Sequence, residues 1–377
     1  MTDRIYRADL PSDWKRKTLR DMISLDKRKL DIFMGLRVAV FTIIPMVVAL
    51  ITSNVSSGLI FALGTYLLST DETKSPDSWR TVRILLAAVF INAIALALGT
   101  LVGLAGWYGV PLFGLGFFLA SFIAIYADTT VLGLVACVLF SVGIGLPGGG
   151  TVVAAGDRFL LCLLAGIWAL LGVVCEMAVR SRRSLKVVRV ARTSHSSTLR
   201  EKIRPLVENL SLKSHHFRFS FAFGLAGAFG LIIALSLDLS RDYWVLLTLA
   251  ILLQRSESVT TVSYSLERIV GTALGAVIGW CVLVTFVDPW FLLLFLFISV
   301  ALYFATRNIN FGLGTIFMTL LVLILVSIPD PGHPLLAETR ILDTTIASMI
   351  ALLTVFLLWA STQRKRFRNK SSVNVKR

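Results

Sequence analysis

The chain alternates long apolar runs with short polar breaks. Apolar segments fall at 35–53, 55–69, 81–106, 110–127, 129–146, 158–179, 217–237, 242–254, 266–286, 289–305, 311–328 and 341–362. Most are long enough to cross a ~30 Å hydrocarbon layer as helices rising ~1.5 Å per residue. The pattern therefore predicts an all-α integral membrane protein of about twelve transmembrane segments. Two segments stand apart. RDYWVLLTLAILLQ (241–254) has an apolar run of only Tyr243–Leu253, and its counterpart VSSGLIFALGTYLLS (55–69) is interrupted by Gly58 and Gly64.

The segments repeat with one offset. Pro147 falls on Pro329, Asp128 on Asn310 and Arg158 on Arg340, each 182 residues apart, and Arg37 opens the first span as Arg218 opens the seventh. A single offset at separate landmarks points to duplication. The expected organisation is a basic segment with an interfacial helix (1–34), a first six-span repeat (35–180), a basic linker (181–216), a second six-span repeat (217–363) and a basic tail (364–377). Six spans is an even number, so both copies insert the same way up. The repeats should then be parallel, related by an axis along the membrane normal.

Composition supports a membrane protein: 56% of residues are hydrophobic, 16% are charged, and the mean hydropathy is +0.80. Soluble domains carry about a quarter charged residues. A net charge of +15 would elsewhere point to nucleic acid, but lysine and arginine crowd into 1–37, 180–218 and 364–377, beside apolar spans. That placement reads as topology, with both termini and the linker cytoplasmic in a bacterial inner membrane. Of the 37 Lys and Arg, only Arg158, Arg241 and Arg340 then fall on the outer side. The first 34 residues are too polar for the apolar core of a cleaved signal, so the first span is expected to act as an uncleaved one. The four cysteines lie in apolar runs and the four histidines lack zinc spacing, so neither a disulfide framework nor a metal or other cofactor is expected.

Several residues carry candidate chemistry. Short segments at equivalent repeat positions mark a transport site, because helix ends at membrane depth leave backbone groups that must face protein or a wet cavity. The substrate site is expected between the copies, with Thr65, Tyr66, Trp244 and Thr248 around it and Gln254 toward the inner mouth. Trp244 and Tyr66 offer ring platforms, and the threonine hydroxyls offer donors to a carboxylate. A packing role, with each threonine bonded to its own helix, is the alternative. Arg83, Arg255, Arg268 and Arg307 form the expected inner vestibule, attracting anions without touching them. The competing reading of Arg268 is a solvated cluster with Glu267, Arg255 and Glu257. Glu176 and Asp343 are the proton-coupling candidates, although Arg180 and Arg340 one turn away offer each a structural partner. Gly271, Gly275 and Gly279 recur every fourth residue and read as a helix-packing face. Asn92 reads as an interhelical hydrogen-bond donor.

The runs YWVLLT (243–248) and SLERIVGTALGAVIG (265–279) resemble the fusaric acid resistance and aromatic acid exporter family. That family has an aromatic-Trp-x-x-Leu-Thr segment followed by an Arg-Ile-x-Gly-Thr-x-x-Gly helix. The motif is kept well in the second copy. In the first, Arg83 remains and the glycine ladder is lost. Larger members carry a long cytoplasmic domain where this chain has the 36-residue linker 181–216. The resemblance implies export of aromatic or other hydrophobic weak organic acids by a secondary transporter, with a periplasmic adaptor as a partner. It is also distantly similar to plant malate-activated anion channels. A passive organic-anion channel and a non-transporting membrane protein therefore stay open beside the proton-coupled exporter. A homodimer stays open too. No clustered nucleophile, base or phosphate-binding loop points to an enzyme.

Overall fold

The computed structural model describes residues 27–69, 78–126, 130–145, 151–183, 209–211, 214–237, 243–253, 258–329 and 336–374. Among them are twelve α-helices: α1 (Ile32–Ile51), α2 (Val55–Leu68), α3 (Ser78–Leu104), α4 (Val110–Tyr126), α5 (Thr130–Gly145), α6 (Val152–Arg183), α7 (His215–Ser236), α8 (Tyr243–Leu253), α9 (Ser258–Thr285), α10 (Pro289–Thr306), α11 (Phe311–Ser327) and α12 (Leu336–Asn374). The interfacial helix expected near residues 12–33 and the linker helix from Thr198 fall largely outside the described residues.

Eight helices are long and apolar enough to cross a membrane, and α2, α5, α8 and α11 are the short apolar ones. The sequence reading of twelve spans thus meets twelve helices of which only eight have crossing length. The short ones occupy the second and fifth positions of each half. They are also central: ten of the eleven residues of α8 are buried, and so are eleven residues of α11. A helix surrounded by protein needs no lipid-matched length, because its neighbours satisfy its ends.

The helix ends follow from local chemistry. Asp31 caps α1 by accepting from the Met34 amide at 3.0 Å, and Asp288 caps α10 through Trp290 N at 2.8 Å, with Pro289 in the first turn. Asn310 caps α11 through Leu313 N at 2.9 Å, and Glu267 of α9 accepts from Gly312 N at 3.0 Å. A carboxylate there complements the positive end of the α11 dipole. Helix α12 runs past its apolar stretch through the basic residues to Asn374.

The larger packing pairs in one half have their counterparts six helices on. Helices α3 and α5 pack together as α9 and α11 do, α3 and α6 as α9 and α12, and α2 and α6 as α8 and α12. The halves join through α4 on α7, α10 on α1 and α8 on α5. At the first seam the Ser121 and Ser220 hydroxyls lie 3.3 Å apart, and a Cβ added to Gly224 would sit 2.7 Å from the Gly114 carbonyl oxygen. The outer faces of the long helices carry exposed apolar side chains, among them Leu36, Val48, Leu160, Leu171, Leu274 and Leu353. Such a continuous greasy exterior suits hydrocarbon and not water.

Candidate functional site

The short central helices bring their aromatic residues to a polar interior. Tyr66 of α2 is buried, with its ring 5.6 Å from Tyr303 and 5.5 Å from Phe304 of α10. Trp244 of α8 is fully buried. The Arg340 guanidinium carbon lies 5.0 Å from its ring centroid, and Tyr243 meets it edge-on at 6.0 Å. Both rings are thus already in contact with protein groups, Tyr66 with aromatics and Trp244 with a cation.

The two threonines differ. Thr65 Oγ1 donates to its own Phe61 carbonyl at 2.9 Å, the local bond common inside helices. Thr248 Oγ1 is buried and has no hydrogen-bond partner among the described residues. Gln254 and Arg255 lie outside the described residues.

The four vestibule arginines do not share one environment. Arg83 is exposed on α3. Arg307 ends α10 with its guanidinium carbon 4.4 Å from the Phe304 ring centroid. Arg268 is 1% exposed, with Nη1 3.1 Å from Met318 Sδ of α11. The reading of Arg268 and Glu267 as solvated charge is corrected here. Helix α9 begins at Ser258, so Arg268 lies about ten residues, or ~15 Å, along it. Glu267 caps α11 and accepts from Ser263 Oγ at 3.0 Å.

Arg340 and Arg158, which the sequence places on the outer side, are both buried within the bundle. Arg158 Nη1 donates to Thr100 Oγ1 at 3.0 Å and to the Gly143 carbonyl at 3.2 Å. Arg340 lies close to Arg268, Asp343, Tyr243 and Tyr66, and Arg268 lies close to Tyr66 and Tyr303. The structure therefore gathers Tyr66, Trp244, Arg268, Arg307, Arg340 and Asp343 around one interior.

Glu176 pairs with Arg37 of α1 at 2.6 Å, a partner on another helix where the sequence offered Arg180. Asn92 Nδ2 donates to its own Ala88 carbonyl at 2.8 Å instead of bridging helices. Gly271 and Gly275 face the α11 backbone: added Cβ atoms would lie 2.7 Å from the Gly312 oxygen and 2.5 Å from the Ile316 oxygen. Gly279 faces the Leu323 side chain at 2.7 Å by the same measure. This close approach sets Met318 beside Arg268.

Sequence reasoning missed Arg340, Tyr303 and Met318 as members of this cluster. Arg340 carried a usable signal, since it shares its offset with Arg158 and stands at the head of an apolar run. Tyr303 and Met318 carried none, being ordinary residues of greasy segments.

Helical fold and apolar exterior define a multi-pass membrane protein. Within that class, residues 227–354 match the family model described as fusaric acid resistance protein-like, the family read from residues 243–248 and 265–279. The inner membrane protein YccS of Escherichia coli (strain K12) is 33% identical over 170 residues, covering 44% of this chain and 22% of that protein. The uncharacterized protein ORF2 of Neisseria gonorrhoeae is 31% identical over 163 residues, covering 42% of this chain and 37% of its own length. The uncharacterized protein slr1298 of Synechocystis sp. (strain ATCC 27184 / PCC 6803 / Kazusa) is 29% identical over 169 residues, 44% of this chain and 22% of that protein. The chain thus matches well under half the length of these curated relatives. No solved structure matches it.

Proposed function

We propose that the chain is a secondary transporter that exports aromatic or other hydrophobic weak organic acids from a bacterial cell, coupled to protons. In this reading it sits in the inner membrane with both termini and residues 181–216 on the cytoplasmic side. Its two six-helix halves are copies related by an axis along the membrane normal. The matched packing pairs of the two halves and the shared 182-residue offset support the duplication. The family match and the inner-membrane relative support transport in place of catalysis.

The observation that carries the reading is the pair of short helices, α8 buried nearly throughout and α2 buried at Thr65 and Tyr66. Helices α2 and α8 occupy the same position in the two halves, and each delivers an aromatic side chain, Tyr66 or Trp244, to the neighbourhood of Arg340. A hydrophobic carboxylic acid presents an apolar ring and an anionic head, and this interior offers aromatic walls and cations together. Asp343, buried beside Arg340, is the stronger proton-coupling candidate, because Glu176 is held by Arg37.

Uptake of labelled benzoate into proteoliposomes, driven by a pH gradient at zero voltage, tests this. The exporter accumulates benzoate against its gradient. A passive anion channel, which the same cationic interior favours, only equilibrates it. No flux of benzoate or other aromatic acids above protein-free vesicles would sink both. The periplasmic adaptor and a homodimer remain proposals for a co-purification experiment on the same preparation.

A further inference from the structure

Most buried hydroxyls of this bundle are satisfied locally. Those of Thr100, Ser141, Ser299, Thr315 and Ser327 each donate to the carbonyl four residues back, at 2.6 to 3.0 Å. Thr42 of α1 and Ser265 of α9 are exceptions, and the second half adds four more. Thr248 of α8, Thr272 of α9, Thr319 of α11 and Thr344 of α12 are buried, and their hydroxyls have no hydrogen-bond partner among the described residues. On three of these helices the threonine follows, by four residues, Trp244, Arg268 or Arg340, and so lies on the same helix face.

The cations are in the same condition. Arg268 Nε and Nη2, and Arg340 Nε, Nη1 and Nη2, are buried without a hydrogen-bond partner among the described residues. Their contacts are softer ones, with Met318 sulfur and the Trp244 ring. Of the charges on the two fully buried arginines, Asp343, three residues after Arg340, offsets one, and the other remains. Unpaired charge at membrane depth costs ~2.5–3.5 kcal/mol per residue even on the gentler insertion scales. An arrangement that leaves five guanidinium nitrogens and four hydroxyls unused is costly unless something else takes them.

The first half is different. Its Arg158, at the offset that matches Arg340, is bonded to Thr100 and Gly143, and its Arg37 is paired with Glu176. The first half therefore bonds or pairs its buried arginines, although Thr42 Oγ1 and Asn92 Oδ1 lack a partner among the described residues, whereas the second half leaves five guanidinium nitrogens unused.

We propose that Arg268 and Arg340, with the hydroxyls of Thr248 and Thr272, form a single anion site in the second half that binds the carboxylate of a monoanionic organic acid. The guanidinium forks supply planar, charge-assisted donors to the carboxylate oxygens. One anion neutralises the charge that Asp343 leaves over. This rests on the acid-transport reading for the organic part of the ligand, and on the two arginines alone for the anionic part. Arg268 then touches the substrate and does more than attract it.

The test uses the full chain, purified into lipid nanodiscs, with sodium benzoate as probe and benzamide and sodium chloride at matched ionic strength as controls. Melting temperature and calorimetric affinity are read for wild type, Arg268→Met, Arg340→Met and Arg158→Met. Benzoate should raise the wild-type Tm, and benzamide should not. Both site variants should lose roughly tenfold or more in benzoate affinity, the scale of a lost charge-assisted contact. The ligand-free Tm of Arg268→Met should equal or exceed that of wild type, since an unpaired buried charge has gone, whereas Arg340→Met also strands Asp343 and is read by affinity alone. Arg158→Met should do the reverse, lowering the ligand-free Tm and keeping benzoate affinity. Wild-type benzoate affinity in both site variants overturns the anion site, and leaves acid export standing if benzoate is still transported. A ligand-free Tm that falls in Arg268→Met as far as in Arg158→Met also overturns it, by making Arg268 structural. Arginine-dependent stabilisation by chloride alone, with none by benzoate, keeps an anion site and sinks the acid-export reading. No response of wild type to either anion overturns the site.

Discussion

Arg37 of α1 and Glu176 of α6 meet at 2.6 Å, almost completely removed from solvent. They fasten the first helix of the chain to the sixth, beside the Trp168 indole, which donates to the Phe41 carbonyl at 2.8 Å. Breaking a buried pair from one side strands the other charge and costs ~3–5 kcal/mol, whereas removing both partners can be nearly neutral. Glu176→Leu should therefore lower the Tm sharply, and Arg37→Met combined with Glu176→Leu should recover most of it. Transport that survives in the double variant would place proton coupling elsewhere. A double variant as unstable as the single one would refute the pairing argument.

Gly275 lets α9 and α11 touch. A Cβ there would sit 2.5 Å from the Ile316 carbonyl oxygen and 2.9 Å from Thr319 Cβ, so even alanine forces the helices apart. Overpacking of this kind costs ~1–3 kcal/mol, and leucine more than alanine. Graded losses of thermal stability for Gly275→Ala and Gly275→Leu are expected. Wild-type melting of Gly275→Leu would contradict the close approach.

The unlike threonines make a paired prediction. Thr65→Val removes a hydroxyl already bonded to Phe61 O, while Thr248→Val removes one without a partner. Both substitutions are close to isosteric, so both proteins should fold. Thr248→Val should impair benzoate transport, and Thr65→Val should leave it near wild type. Equal transport by the two variants would remove Thr248 from the site.

Topology has its own test. A cysteine placed at position 196, within the basic linker, should resist membrane-impermeant thiol reagents in intact cells and react after the membrane is opened. Labelling from outside would reverse the orientation.

The sequence by itself determined the all-helical membrane class and, among the described residues, placed twelve helical segments, although α6, α9 and α12 run well beyond their apolar stretches. Apolar periods and polar breaks are local, and in lipid the backbone must close its hydrogen bonds within each helix, so local pattern and final structure coincide. It also carried the internal offset and the two undersized segments. Only the tertiary structure decided the polar chemistry. Whether Thr65 bonds its own helix, whether Glu176 finds Arg37, and whether Arg340 lies in an outer loop or against Trp244 depend on which helix packs next to which. Those neighbours come from residues far apart in the chain, brought close by small side chains such as Gly271 and Gly275. A buried charge shows in the sequence as a letter within an apolar run, and its partner, or the lack of one, exists only once the helices have packed.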